Sequence, residues 1–226
     1  MPALLADQRI LLTHADRFMG PTLTQVLSAH GAQVVANTDA LIDAHEADQA
    51  VAAAGAIDTL IIHLAVPAPQ SAADAIDDIE WRDAFAAMVD PMPRLVRAAL
   101  PHMKAQGHGK ILVMGSAAAL RGQKRCGTYS AARGAQLAYA QAIGLELAPL
   151  NIQVNAIAQN FVDNPTYFPP DVQANPKFQA RLQRDVPLGR LVSAEEDAEF
   201  VAYLCSRHAN CFVGQTFPVS GGWALR

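Results

Sequence analysis

No apolar run in this chain approaches the about 18 residues that a membrane-spanning helix needs, which excludes a helical span. Nor does one sign of charge dominate anywhere: 17 Lys and Arg are interspersed with 21 Asp and Glu, for a formal net charge of −4. Without a basic stripe, nucleic acid is not expected as a partner. Cysteine is scarce. Cys126, Cys205 and Cys211 stand at no metal-ligand spacing, and an odd count suits a reducing compartment in which they serve as small buried hydrophobes. The histidines (His14, His30, His45, His63, His102, His108 and His208) show no ligand spacing either, so no metal is expected. The opening residues, "MPALLADQR", lack the basic and apolar regions of a signal peptide. These absences lead to the expectation of a soluble, cytoplasmic protein.

What is present is an alternation. At 226 residues and 51% hydrophobic, without a composition shift, repeat or low-complexity tract, residues 1–226 read as one domain. Apolar, β-branched runs at 9–13, 33–36, 59–63, 110–114, 153–156 and 216–219 predict strands covered on both faces. Helical patterns at 22–30, 42–54, 81–106, 129–148 and 194–206 lie between them. The alternation predicts an α/β fold, a three-layer, doubly wound parallel sheet of Rossmann-like kind, with ligands outside the carboxyl ends of the strands. The loops after Thr13, His63, Gly115 and Ala156 should then converge on one cleft. Pro91 and Pro93 should kink or break the 81–106 helix, and 160–175, with Pro165, Pro169 and Pro170, reads as a long functional loop. Asp77, Asp78 and Glu80 read as a solvated helix start.

Glycine is missing where such a fold most often needs it. In "RILLTHADRFMGPTLTQVL" (9–27) a strand runs into a helix through a turn that keeps only Gly20. A pyrophosphate at a helix N-terminus needs a glycine-rich turn, so this one is not suited to a dinucleotide. Asp39, after the second strand, accordingly reads as a loop or capping residue rather than a ribose ligand.

The residues that carry chemistry lie further on. Ser116 sits just past a strand's carboxyl end, and Tyr129 and Arg133 open a long helix four residues apart, on one face. A permanent cation beside a phenol favours phenolate, moving a pKa that starts near ~10 toward the range of a general base. A serine hydroxyl can anchor the same substrate oxygen.

The segments "GKILVMGSAA" (109–118), "YSAARGA" (129–135), "LELAPLNIQVNAIAQN" (145–160), "VPLGRL" (186–191) and "GQTFPVSGGW" (214–223) resemble the short-chain dehydrogenase/reductase superfamily over essentially the whole chain. The resemblance implies that Ser116 holds the substrate oxygen and Tyr129 exchanges its proton. Departures from the family pattern fall on the groups that hold its nicotinamide cofactor. Asn-Asn-Ala-Gly is replaced by His63-Leu64-Ala65-Val66, the lysine by Arg133, Pro-Gly by Gln159-Asn160, and the tetrad asparagine by Asp90. One branch of the superfamily, the halohydrin (haloalcohol) dehalogenases, has a Ser-Tyr-Arg triad and a halide site in place of the nicotinamide. "AQNFVDNPTYFPP" (158–170) resembles their halide loop, and "THADRFMG" (13–20) resembles their first turn, with Phe18 as its aromatic residue.

That resemblance implies conversion of vicinal haloalcohols to epoxides with release of halide and a proton, and epoxide opening by azide, cyanide or nitrite in reverse. It implies no cofactor, with Ser116, Tyr129 and Arg133 catalytic and Phe18, Gln159, Asn160, Phe161 and Val162 around the halide. The positive edge of the Phe18 ring and the backbone N–H groups of 160–162 would favour an anion. Leu64, Val66, Ala118, Leu120, Tyr167 and Phe168 are expected to line the substrate pocket, and the 81–106 and 129–148 helices to build a homotetramer. The alternative is an NAD(P)-dependent short-chain dehydrogenase/reductase for a small alcohol or carbonyl, with an eroded fingerprint. A catalytically silent binding subunit is a third class, against which the intact Ser116, Tyr129 and Arg133 argue.

Overall fold

The computed structural model describes residues 3–64 and 66–225, so Ala65 lies outside the described residues. In chain order the elements are β1 (Arg9–Leu12), α1 (Gly20–Ala29), β2 (Gln33–Ala36), α2 (Ala44–Ala54) and β3 (Thr59–Ile62). Then follow α3 (Asp78–Met88), α4 (Pro91–Gln106), β4 (Gly109–Ser116), α5 (Gly127–Leu147) and β5 (Ile152–Gln159). The last are α6 (Pro170–Gln173), α7 (Pro176–Asp185), α8 (Ala194–Cys205) and β6 (Thr216–Val219). The six strands form one sheet in the order β2-β1-β3-β4-β5-β6, every neighbouring pair parallel.

The four central strands, β1, β3, β4 and β5, are largely apolar because both faces are covered. Leu11, Leu60, Ile62, Ile111, Val113 and Val154 pack in one core with residues of α2, α4 and α5. Their alternates Ile10, Leu12, Ile61, Leu112, Met114 and Ile157 pack in a second core with α1 and α8. This is the period-2 alternation of a strand read against two helical layers.

Three differences from the sequence pattern have local causes. The 81–106 stretch is two helices, with Pro91 at the first position of α4, where its missing N–H is not needed. The helix α7 buries only Leu182, too thin an apolar stripe to register as periodicity, and Asn175 caps it by accepting from Lys177 N. Glu80 is not a solvated carboxylate: it accepts from the hydroxyls of Thr128 (2.6 Å) and Ser71, fastening α3 to the first turn of α5. Of the cysteines, Cys126 and Cys205 are buried, whereas Cys211 is exposed. Among the described residues no helix is long and apolar enough to cross a membrane, and no group of three or more His, Cys, Asp or Glu is placed to hold a metal.

The chain passes from β1 to β2 on one side and then returns to place β3 on the other, so strand order reverses between β1 and β3. Such a switch point opens a crevice at the carboxyl ends of the strands. Thr13 ties the two ends together, its hydroxyl accepting from His63 N (2.9 Å) and donating to His63 O (3.1 Å). Beside it, a Cβ on Gly20 would come within 2.5 Å of Ala15 O and 2.6 Å of His14 O. The surviving glycine thus serves the close approach of α1 to its own turn. His14 and Phe18 hold φ of +46° and +48°, left-handed conformations that glycine adopts more readily.

Candidate active site

A cavity of about 280 Å³ opens at the carboxyl ends of β1, β3, β4 and β5. Ser116 ends β4 in register with Gln159 at the end of β5. Its hydroxyl donates to Gln159 O at 3.3 Å and accepts from Ala118 N at 3.2 Å. Tyr129 stands in the first turn of α5 and Arg133 one turn further, and all three side chains line the cavity. They are nearly buried, at 6%, 8% and 6% exposure. The Arg133 guanidinium lies 5.1 Å from the centre of the Tyr129 ring. Its Nη1 donates to Met114 O (3.1 Å) and Gln136 Oε1 (2.9 Å), and Gln136 donates in turn to Met88 O (2.6 Å). A cation held in that way cannot swing from the phenol.

Phe18, Gln159, Asn160, Phe161 and Val162 all line the same cavity, as do Tyr167 and Phe168. The rings form a file: Phe18 to Tyr167 at 5.3 Å, Tyr167 to Phe168 at 6.4 Å, Phe168 to Phe161 at 6.1 Å and Phe161 to Trp223 at 6.1 Å. The Tyr167 hydroxyl accepts from Ala68 N at 2.9 Å. Burial, with Tyr129 beside it, pushes the Tyr167 phenol up to about 12, so it remains a proton donor.

The backbone around 160–162 is less open than the sequence reading expects. Asn160 N donates to Val219 O (3.0 Å) and Phe161 N to the Asn160 side chain (2.9 Å). Only the Val162 N–H is without an acceptor among the described residues. Leu64, Val66, Ala118 and Leu120 fall outside the cavity lining. Leu64 is fully buried in the core of the α2/α4/α5 layer, against which Leu120 also packs, while Ala118 and Val66 pack in a small cluster with Tyr129. Asp39 is exposed and accepts from Asn37 Nδ2 (2.7 Å), and Asp90 is exposed at the start of α4.

The structure adds residues that the sequence reading did not single out. His63 lines the cavity as a neutral imidazole, because burial and the Arg133 charge push its pKa down to about 3. Arg181, on the unexpected α7, lies 5.3 Å from the Phe161 ring centre and also lines the cavity. Two arginines and no carboxylate therefore stand among the lining residues.

A wound parallel sheet with a serine, a tyrosine and a cation at its carboxyl edge defines a class, and comparison with known proteins agrees with it. A family model described as enoyl-(acyl carrier protein) reductase matches residues 6–224. The cis-4-hydroxycyclohexanecarboxylate dehydrogenase of Sinomonas cyclohexanicum is 32% identical over 178 residues, 78% of this chain and 69% of that one. The 3-oxoacyl-(acyl-carrier-protein) reductase of Escherichia coli K12 is 32% identical over 146 residues, 64% of this chain and 58% of that one. Among solved structures, one described as a dehalogenation enzyme superposes with a TM-score of 0.90 at 31% identity, covering 98% of this chain and 100% of its own. A halohydrin dehalogenase bound to ethyl (2S)-oxiran-2-ylacetate gives 0.86 at 27% identity, covering 96% and 97%. The chain belongs to the short-chain dehydrogenase/reductase superfamily.

Proposed function

We propose that this enzyme is a halohydrin dehalogenase, which closes vicinal haloalcohols to epoxides and opens epoxides with small anions such as azide, cyanide or nitrite. The observation that carries the reading is the make-up of the cavity. Ser116, Tyr129 and Arg133 share a space of about 280 Å³ that two arginines and no carboxylate line. That volume is at the lower end for small-molecule sites and suits a substrate of a few carbons.

The nicotinamide dinucleotide usual in this superfamily fits the residues poorly. The only glycine of the first turn is filled by contact with Ala15 and His14, and the Phe18 ring, tilted against Tyr167, projects where the turn would meet a cofactor.

In the reaction the substrate hydroxyl sits between Ser116 Oγ and Tyr129 Oη, and Tyr129 acts as the base that removes its proton beside the Arg133 charge. The alkoxide attacks the neighbouring carbon from the side opposite the halogen. A C–O bond forms, the carbon–halogen bond breaks with its electron pair, and halide leaves as the proton passes to solvent. The leaving anion is received by the Val162 N–H, the Asn160 side-chain Nδ2 and the positive edge of Phe18. Aligning alkoxide and leaving group in one line is the main source of rate. The active assembly is a homotetramer built through α4 and α5, where Ala131, Gly134, Ala135 and Ala138, outside the buried face of α5, permit close packing.

The test pairs two assays on purified protein. Bromide release and epoxide formation from simple bromoalcohols are expected, with no oxidation of added NADH or NADPH by small ketones. Cofactor oxidation without bromide release would instead favour the reductase activity named for the curated relatives.

A further inference from the structure

One carboxyl behind the cavity has no part in that chemistry. Asp197, in the first turn of α8, is fully buried. Its Oδ2 accepts from Gln159 Nε2 at 2.5 Å, while Oδ1 has no partner among the described residues. Val201, one turn on and on the same face, packs into the apolar cluster of the α1/α8 layer. Gln159 lines the cavity, accepts the Ser116 hydroxyl with its carbonyl, and directly precedes Asn160, Phe161 and Val162. Asp197 is thus one side chain away from both the serine and the turn proposed to receive the anion.

None of the charged groups on the elements packed against α8 pairs with Asp197 among the described residues. His30, at the end of α1, bonds Glu199 (2.7 Å), and Arg190 bonds Glu196 (2.7 Å). Lys110 of β4 has Cys205 and Cys211 as its titratable neighbours, Arg207 and His208 follow the far end of α8, and β5 carries no charged residue. A carboxylate with a single neutral hydrogen-bond donor in such surroundings is costly, and burial raises the acid to about 7.

We infer that Asp197 is a positioning residue and a proton-linked gate for the anion turn. As a neutral acid it holds Gln159 in place and leaves the positive field of Arg133 and Arg181 unopposed. As a carboxylate, having given its proton to solvent, it sets a negative charge behind the turn and drives the anion out. This role presupposes the anion site proposed for the same cavity.

Bromide titrations by calorimetry across about pH 6 to 8, on the full chain, test it. Affinity should fall roughly tenfold over that range. By reciprocity, adding bromide near pH 7 to weakly buffered wild-type protein should draw protons from solution, seen with an indicator dye. In Asp197→Asn the affinity should be flat with pH and the proton uptake absent. Absence of bromide binding at any pH overturns the anion site and this role together. Bromide binding that is independent of pH without proton uptake, or a pH slope that persists in Asp197→Asn, overturns the role of Asp197 and leaves the anion site standing. The proton-uptake measurement needs no variant, so a failure of Asp197→Asn to fold does not remove the test.

Discussion

Replacing Asp197 by asparagine should stabilise the folded chain, and increasingly so as pH rises. The folded acid titrates at about 7 against an ordinary 3.8, because burial penalises its charged form and Gln159 supplies the only hydrogen bond. The unfolded chain gives up this proton first, so the contribution of Asp197 to stability is intact below about pH 4 and is lost as pH rises through 7. At one pKa unit per about 1.4 kcal/mol, the loss is about 3 kcal/mol at pH 6 and about 4 kcal/mol at pH 8. Asparagine keeps the shape and an acceptor for Gln159 Nε2 and has no proton to lose. The stability gap between variant and wild type should therefore widen by about 1.4 kcal/mol over those two pH units. For a domain of this size that is about 3–6 °C in Tm. Paired melts of both proteins at several pH values, reported as differences, cancel every other titrating group. A gap that stays constant, or closes as pH rises, would refute the reasoning from burial.

Ser116→Ala and Tyr129→Phe should each lower bromide release at least about 100-fold while leaving the melting curve near that of wild type; retained turnover in Tyr129→Phe removes it as the base. Gly20→Ala should lose about 1–3 kcal/mol, since the new methyl meets backbone atoms that have no rotamer to change. Denaturant unfolding checks it, and an unchanged midpoint contradicts the close approach at the first turn. Tyr167→Phe should slow turnover, because it removes the hydroxyl that accepts from Ala68 N and lies beside Tyr129; turnover equal to wild type would show that this hydroxyl has no part in the site.

The sheet was legible because its central strands are largely apolar on both faces and the covering helices carry apolar stripes, as in β3 and α2. The alignment of Ser116 with Tyr129 and Arg133 was legible for a simpler reason: a strand end and one helical turn fix all three. The four expected pocket residues that missed the cavity, Leu64, Val66, Ala118 and Leu120, follow close behind strand ends, the last two in and just after a single 3-10 turn. Apolar character alone did not say which way they turn: Leu64 enters the core, Leu120 packs half-buried against it, and Ala118 and Val66 pack beside Tyr129. Arg181 and Asp197 were hidden differently. Arg181 sits on a helix with one buried residue, and Asp197 follows Glu195 and Glu196, where it reads as another solvated acid. Its burial comes from the face of α8 that packs on the sheet, a tertiary fact that a local window does not contain. The anion turn was misjudged in detail because Asn160 uses its own side chain to cap Phe161 N.

The file of rings from Phe18 to Trp223 also has a spectroscopic consequence. The chain has two tryptophans: Trp81 is 45% exposed on α3, and Trp223 is 6% exposed at the inner end of the file. An indole in water emits to the red of one buried among hydrocarbon, so the two contribute separable bands. A heavy halide lodged beside Phe161 would dim the blue band of Trp223 and leave the red band of Trp81 untouched. The molecule carries its own optical gauge of whether its cavity is filled.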